Sequence, residues 1–534
     1  MLLRLLLFCR ETPLKTGSEG KRYLRLDWQG SDWPWEAGMQ VLKNDPYDAV
    51  AYPGFAYPDT HPGNLAAMAI LHGLSPAPVE RCRVLEVACG DGGNLIPMAY
   101  AIPGSTFVGF DVACLPIERG QERIRELGLS NIRLFQGNLL EVGAGLGMFD
   151  YIIAHGLYAW APEPVRDRLL ALCRELLLPH GVAFVSYNAL PGGYLRRMIR
   201  EMMLFRVGHI EDAEEKAATG IAFLHSVLEA RAQEDALRLL IEEDLKRMER
   251  RSPQAIFHDE LSEINEPVYF SEFAGHARRH GLQYLSESVL PFPVDPCYRA
   301  DLRPTLEGAA GDDIIGQEQV LDFMRMRRYR ETLLCHAERE VRRDFPMERF
   351  RGLLFASQTS SSAGDAPGAK VFTLPGGARM ETTHAATIAL MEQLEAAWPG
   401  ALSAADLEAN PPGAGFSLED LGAPLLMRLV VARMIELRAW RAPAVTEIST
   451  YPRASASARQ EARGRSHATT FLHMTMKFED PLVGSFLVLL DGTRDRAAIF
   501  EALKAEYPAL PPEQIEEGIE RNLELLLEAG MLEA

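Results

Sequence analysis

The chain has 534 residues, 47% hydrophobic and 24% charged, a globular composition too long for one core, so two to four domains are expected. A formal net charge of −19 argues against a mainly electrostatic grip on nucleic acid or an anionic membrane and leaves cationic partners open. The seven cysteines (Cys9, Cys82, Cys89, Cys114, Cys173, Cys297 and Cys335) form no metal-spaced pair, and no apolar run reaches the roughly 18 residues of a membrane span, so a cytoplasmic protein with reduced thiols and no metal is expected.

Residues 1–38 open on a short apolar run broken by Arg4 and continue polar and without period. They are expected to be disordered or a spurious extension, with Met39 the natural start. The stretch from Tyr47 to Pro58 is held extended by its prolines, and Asn64 is expected to cap a helix over 65–74. From Arg83, strands at 84–87, 106–110, 132–135, 151–154 and 182–187 alternate with helices at 94–101, 115–127 and 164–177. That order predicts a doubly wound, Rossmann-like α/β core over 39–194.

Residues 195–270 lose the strand pattern, and 221–228 and 236–248 carry helical spacing, which predicts a helical insert. A helix over 273–280 and strands at 282–288 and 332–336 then complete the sheet within 271–340. The Ser/Gly/Ala/Pro run Ala356–Lys370 has linker composition and places a linker over 341–370. Beyond it, a loose repeat predicts two winged-helix-like α+β modules, 371–445 and 466–534, the first with a helix ending in Met434–Leu437. From Ala369 onward 15 Lys/Arg face 23 Asp/Glu, so these modules are expected to contact protein and not nucleic acid.

The chemistry concentrates in residues 84–94, Val-Leu-Glu-Val-Ala-Cys-Gly-Asp-Gly-Gly-Asn, and in Asp111 at the end of the next strand. A loop for pyrophosphate would read GxGxxG. Here Ala88 holds the first glycine position, and Glu86 places a carboxylate where a phosphate would be repelled. An acid there suits an adenosyl ligand with a cationic amino-acid portion, and S-adenosylmethionine fits. Glu86 would face its α-ammonium, Gly90 and Gly92 would let the backbone approach, and Asp111 would accept the ribose hydroxyls at about 1.5–3 kcal/mol per bond. Asn138, after the third strand, is placed to meet the adenine amino group. Without Asp111, the loop alone would also read as an ordinary βα turn.

The fourth strand leads into His155-Gly-Leu-Tyr158-Ala-Trp160, and the fifth ends in Tyr187-Asn188. Aromatic faces there suit a methyl-accepting amine. Tyr158, Trp160 and His155 are the candidate catalytic residues; packing of the cleft rim is the alternative for the aromatics. His155 either deprotonates an amine, lines the methionine pocket or is structural.

From about Tyr47 to the C-terminus the sequence resembles the bacterial class I S-adenosylmethionine-dependent methyltransferases that carry a methyltransferase regulatory domain, among them lysine methyltransferases of outer-membrane proteins. The resemblance rests on Thr60-His-Pro, residues 84–94 and 155–160, Val185-Ser-Tyr-Asn, His258–Phe270, His280-Gly-Leu-Gln-Tyr-Leu, Leu321-Asp-Phe, Thr332-Leu-Leu-Cys-His and Leu490-Asp-Gly-Thr-Arg-Asp. It implies methyl transfer to protein lysine, helical contacts of a homodimer, and C-terminal modules that handle protein substrate. Ala88 departs from the glycine usual at its position. Within 258–270, His258, Asp259, Glu260, Glu263 and Glu266 do not converge on one helix face, so capping and interdomain bonding are expected there in place of a metal. Arg325, Arg327, Arg328 and Arg330 are expected to pair with the helical insert. The rival readings are a small-molecule N- or O-methyltransferase with regulatory modules, and a non-catalytic binding protein of the same fold.

Overall fold

The computed structural model describes residues 50, 52–290, 303–409 and 416–534. The expectations for residues 1–38 and for a start at Met39 lie outside the described residues. Seven strands form the central sheet: β1 (Arg83–Val87), β2 (Thr106–Asp111), β3 (Ile132–Gln136), β4 (Phe149–Ala154), β5 (Leu177–Asn188), β6 (Leu282–Glu287) and β7 (Tyr329–His336). Their order is β3-β2-β1-β4-β5-β7-β6. The first five run parallel, whereas β7 is antiparallel to both β5 and β6. Buried Val84, Leu85 and Val87, with Tyr151, Ile152 and Ile153, show the two-sided burial that parallel central strands require.

The order reverses at β1 and β4, which opens a crevice beyond the carboxyl ends of these strands. The helices Leu95–Ala101, Cys114–Leu127 and Glu163–Leu176 supply the crossovers. The helix near the N-terminus spans Pro62–Leu71, and its cap is His61, whose Nδ1 accepts from the Gly63 N–H at 3.0 Å. Asn64, the expected cap, instead donates to the carbonyls of Asp59 and Ser288, because a proline at the first helical position moves the start upstream.

Helices Gly193–Val207, Ala213–Glu229, Ala236–Met248 and Pro253–Glu260 form the insert around their own core of Met203, Leu224, Ile241 and Leu245. Two further expectations need correction. Residues 341–370 are not a plain linker: they hold a helix, Met347–Arg351, and strands Leu354–Ala356 and Ser360–Ala363. The second of these pairs antiparallel with Lys370–Thr373. Likewise Met434–Leu437 does not end a helix; that helix is Ala423–Val431, and Glu436–Arg438 is a strand paired with Leu354–Ala356. A single hydrophobic cluster runs from Leu65 and Val84 through Phe355 and Leu390 to Leu437 and Trp440, so the first module grows out of the core of the sheet domain. The last module has a separate core around Phe486, Leu487, Ile499 and Leu523. No helix among the described residues is long and apolar enough to cross a membrane.

Candidate active site

After β1 the chain turns through Ala88, Gly90 and Gly92, with φ of 58°, 55° and 71°. Glycine adopts this left-handed region freely; Ala88 carries a Cβ there at a cost of about 1–2 kcal/mol. A Cβ added to Gly92 would lie 2.7 Å from Leu134, whereas one added to Gly90 would meet nothing within 4 Å. Gly92 therefore packs the loop down, and Gly90 fronts open space. Asp111 braces the loop: its carboxylate accepts from Gly90 N–H and from Ala113 N–H, each at 2.9 Å. A carboxylate has about four acceptor positions, so such a group can brace a loop and also accept from a ligand.

Glu86 is buried beneath this turn. Its Oε1 accepts from Asn94 Nδ2 at 2.7 Å, while Oε2 is buried with no partner among the described residues. Burial, opposed by the Asn94 bond and reinforced by the charges of Asp111 and Asp91, pushes its pKa up to about 8. A buried carboxylate oxygen without a donor costs about 1–3 kcal/mol, a cost that protonation or a bound donor would offset. Asn138 accepts from its own Leu140 N–H at 3.0 Å, in a turn tied to Asp111 by the bond from Gly137 N–H to the Asp111 carbonyl at 2.8 Å. Glu86, Ala88, Gly90, Gly92, Asp111 and Asn138 thus share the carboxyl end of the sheet.

The aromatic candidates divide between the two faces of the sheet. His155 lies on the cleft side, stacked on Tyr57 with ring centroids 3.8 Å apart, its Nε2 3.2 Å from the Tyr329 hydroxyl. Burial holds its pKa down to about 4, so the ring is neutral near pH 7. Side chains alternate along β7, so Tyr329 and Glu331 share one face and Arg330 and Thr332 the other. The Tyr187 hydroxyl lies 3.1 Å from Thr332 Oγ1 and its ring stacks on Phe273, which places Tyr158, packed against both rings, on the far face. The Tyr158 hydroxyl meets His276 Nδ1 at 2.8 Å, and burial pushes its pKa up to about 12. Trp160 is partly exposed, with Nε1 buried and unpaired among the described residues. His155 is thus the one catalytic candidate joined to cleft residues, and Tyr158 is turned away from it.

Beside the His155–Tyr329 pair lies a cavity of about 400 Å³ lined by Glu287, Ser288, Tyr329, Glu331, Arg327 and Arg433. Burial, then the charges of Asp59 and Glu287, push Glu331 up to about 8; burial also raises Asp59. The neighbouring arginines have other partners. Arg330 pairs with Glu287, Glu318 and Asp322 and Arg327 with Asp322, outside the insert, whereas Arg328 pairs with Asp244 of the insert as expected. Around His258 the acids meet arginines: Asp259 pairs with Arg251, Glu260 with Arg196 and Arg251, and Glu266 with Arg166.

The Tyr52–Thr60 segment and the hairpin of the last module, His467–Thr469 with Thr475–Lys477, lie against the loop. The Tyr52–Thr60 strap passes so close to the loop that a Cβ on Gly93 would sit 2.5 Å from the Gly54 carbonyl carbon. The last module grips the strap. Arg465 donates to the Gly54 carbonyl at 3.0 Å and pairs with Asp91, and Thr475 Oγ1 accepts from Ala56 N–H at 2.9 Å. Asn94 Oδ1 accepts from Tyr57 N–H and from His473 Nε2. Tyr57, Tyr329, Glu331 and His473 escaped the sequence reading because they arrive from distant segments; the paired Tyr-Pro steps at 52–53 and 57–58 were the one local signal.

Residues 84–181 match the family described as a methyltransferase domain, 252–336 the "Predicted methyltransferase regulatory domain", and 450–509 the "PKMT, C-terminal winged helix domain". An uncharacterized protein of Rickettsia prowazekii is 35% identical over 309 residues, 57% of this chain and 55% of that protein. The chain thus spans about half the length of that relative. A second R. prowazekii protein, also uncharacterized, is 34% identical over 242 residues, 45% of this chain and 96% of its own length. The fold is that of PKMT2 from Rickettsia typhi, at TM-score 0.79 and 24% identity, covering 90% of this chain and 100% of that one. The same protein in complex with AdoHcy aligns at TM-score 0.79 and 23% identity, over 90% and 99% of the two chains.

Proposed function

Because the chain belongs to the class I methyltransferases that carry a methyltransferase regulatory domain, we propose that it transfers a methyl group from S-adenosylmethionine to a lysine side chain of a protein. The observation that carries the lysine assignment is the pair of buried, interacting acids Glu331, on the cavity that Tyr329 also lines, and Asp59, close to the stacked Tyr57 and His155 rings. The match of residues 450–509 to the PKMT C-terminal winged helix domain, on a chain with the fold of PKMT2, supports it.

The residues present fit S-adenosylmethionine, which when bound supplies an electrophilic methyl on a sulfonium sulfur. Glu86 Oε2, buried without a donor, would take the α-ammonium. Asp111 would take the ribose hydroxyls and Asn138 the adenine edge, with open space before Gly90 for the ligand. Tyr57, His155 and Tyr329 form the wall between cofactor and acceptor. They exclude water, and the tyrosine faces attract a cationic amine by about 0.5–2 kcal/mol each. The acceptor nitrogen must shed a proton from a group whose pKa is about 10.4 in water. Glu331, raised by burial and sharing its surroundings with Asp59, is the chain's best proton acceptor there, whereas His155, held near 4, serves to orient Tyr329.

Arg327 and Arg433 on the same cavity favour a second reading, an anionic small-molecule acceptor. Incubation with methyl-labelled cofactor and a cell-envelope extract separates the two. Label in a protein band, mapped to lysine, supports the first reading; label confined to the small-molecule fraction overturns it. A non-catalytic binding protein is disfavoured because the cofactor residues are all present at one place, and absence of cofactor binding in calorimetry would restore it. Phe205, 89% exposed, and Leu239, 58% exposed, on the insert support a homodimer, which light scattering in solution checks.

A further inference from the structure

On the face of the molecule that Tyr158 turns toward, the helices Glu163–Leu176 and Phe270–Arg279 bring Asp167, His276 and His280 together. Asp167 Oδ1 lies 3.2 Å from His276 Nε2 and 2.8 Å from His280 Nε2, and the three donor atoms fall within 4.8 Å of one another. Donors bound tetrahedrally at about 2.0–2.1 Å stand roughly 3.3 Å apart, so small side-chain movements would suffice. The two histidines are four residues apart at the end of one helix, which puts both rings on the same side.

A second observation comes from behind the cluster. His276 is buried, and its other nitrogen, Nδ1, is held 2.8 Å from the buried Tyr158 hydroxyl. Such a bond fixes the ring's orientation and turns Nε2 outward, the arrangement that metal-ligating histidines have. Asp167 is 58% exposed on its side chain, which leaves room for water to complete the coordination. One carboxylate and two imidazoles are borderline ligands, suited to zinc and its neighbours and poorly suited to calcium or magnesium.

We propose that Asp167, His276 and His280 bind one divalent ion of the zinc class, which ties the methyltransferase domain, matched over 84–181, to the regulatory domain, matched over 252–336. The ion is a strut: Asp167 belongs to the first domain and both histidines to the second. Through His276 and Tyr158 it would stiffen the segment His155–Trp160 that borders the cleft. The site makes no use of the cofactor pocket, so its fate is separate from that of the lysine reading.

Titration of the full chain with cobalt(II), in the absence of cofactor, tests this. One equivalent should bind with a visible ligand-field band, and zinc should displace it. Asp167→Asn, at an exposed position, and His280→Gln, at a half-buried one, keep hydrogen bonding and bulk, and each should weaken cobalt binding at least tenfold. The wild type should melt at a higher temperature with zinc, and His280→Gln should not. His225→Gln, which alters an exposed His–Glu pair elsewhere, controls for adventitious binding and should leave the titration unchanged. Failure of the wild type to bind a stoichiometric ion, or equal binding by Asp167→Asn and His280→Gln, overturns the proposal and leaves a hydrogen-bonded His–Asp cluster.

Discussion

His473 and Asn94, 379 positions apart in the chain, are joined by a 2.8 Å hydrogen bond inside the protein. Asn94 Nδ2 already donates to Glu86, so its Oδ1 faces the ring and His473 donates from Nε2. Burial, with His61 close by, holds His473 well below the usual histidine range and keeps it neutral. The last module therefore positions the side chain that positions Glu86.

Replacing His473 by Ala should loosen Asn94 and weaken S-adenosylmethionine binding about three- to tenfold, the worth of one buried hydrogen bond. Titration calorimetry reads this directly, and His473→Gln should recover most of the loss. An unchanged dissociation constant would separate the module from the cofactor site.

Glu86 makes binding depend on pH. With a pKa of about 8 in the free site, it is mostly protonated at pH 7. A bound ammonium favours the carboxylate, so binding lowers this pKa and releases a proton. Affinity should rise with pH up to about 8 and level off above it. Calorimetry at pH 7 in buffers of different ionization heat should show close to one proton released per cofactor, and Glu86→Gln should abolish both release and slope.

Glu331→Gln removes the proposed proton acceptor without emptying the cavity. The kcat/KM for the acceptor should fall about 100-fold, the usual worth of a general base, while cofactor affinity stays within twofold. Steady-state kinetics across pH 6–9 decide it: retention of the wild-type profile would move the proton to another group.

Tyr158→Phe distinguishes the two sides of the sheet. Its hydroxyl bonds to His276 away from the cleft, so the variant should lose about 1 kcal/mol of stability and keep kcat within threefold. Tyr329→Phe, which breaks the contact with His155, should cost more in kcat. The opposite ranking would return Tyr158 to the chemistry.

Much of the fold was legible because it is written locally. The apolar runs at Val84, Phe107 and Ile152 are short, continuous and separated by helical spacing, and the structure places strands there within a few residues of expectation. The strand Ser360–Ala363 was not legible, since every residue in it is small, polar or exposed and its strand partner among the described residues is Lys370–Thr373. Its state depends on pairing, which overrides composition. The cap at His61 was hidden for a related reason: the proline that follows sets the helix start, and Asn64 is drawn to Ser288 from another segment.

The candidate site divides the same way. Glu86, Gly90, Gly92 and Asp111 lie along two neighbouring strands and the turn between them, all encoded in adjacent residues, so the sequence by itself determined this acid-flanked glycine turn at the carboxyl end of the sheet. Which aromatic side chains face that pocket was decided only in the tertiary structure. His155 and Tyr158 are three residues apart, yet the turn between them carries them to opposite faces of the sheet, and Tyr57, Tyr329, Glu331 and His473 reach the cleft from other segments. Such convergence leaves no local period, because it depends on long-range packing and pairing of segments whose own patterns record only which face is buried.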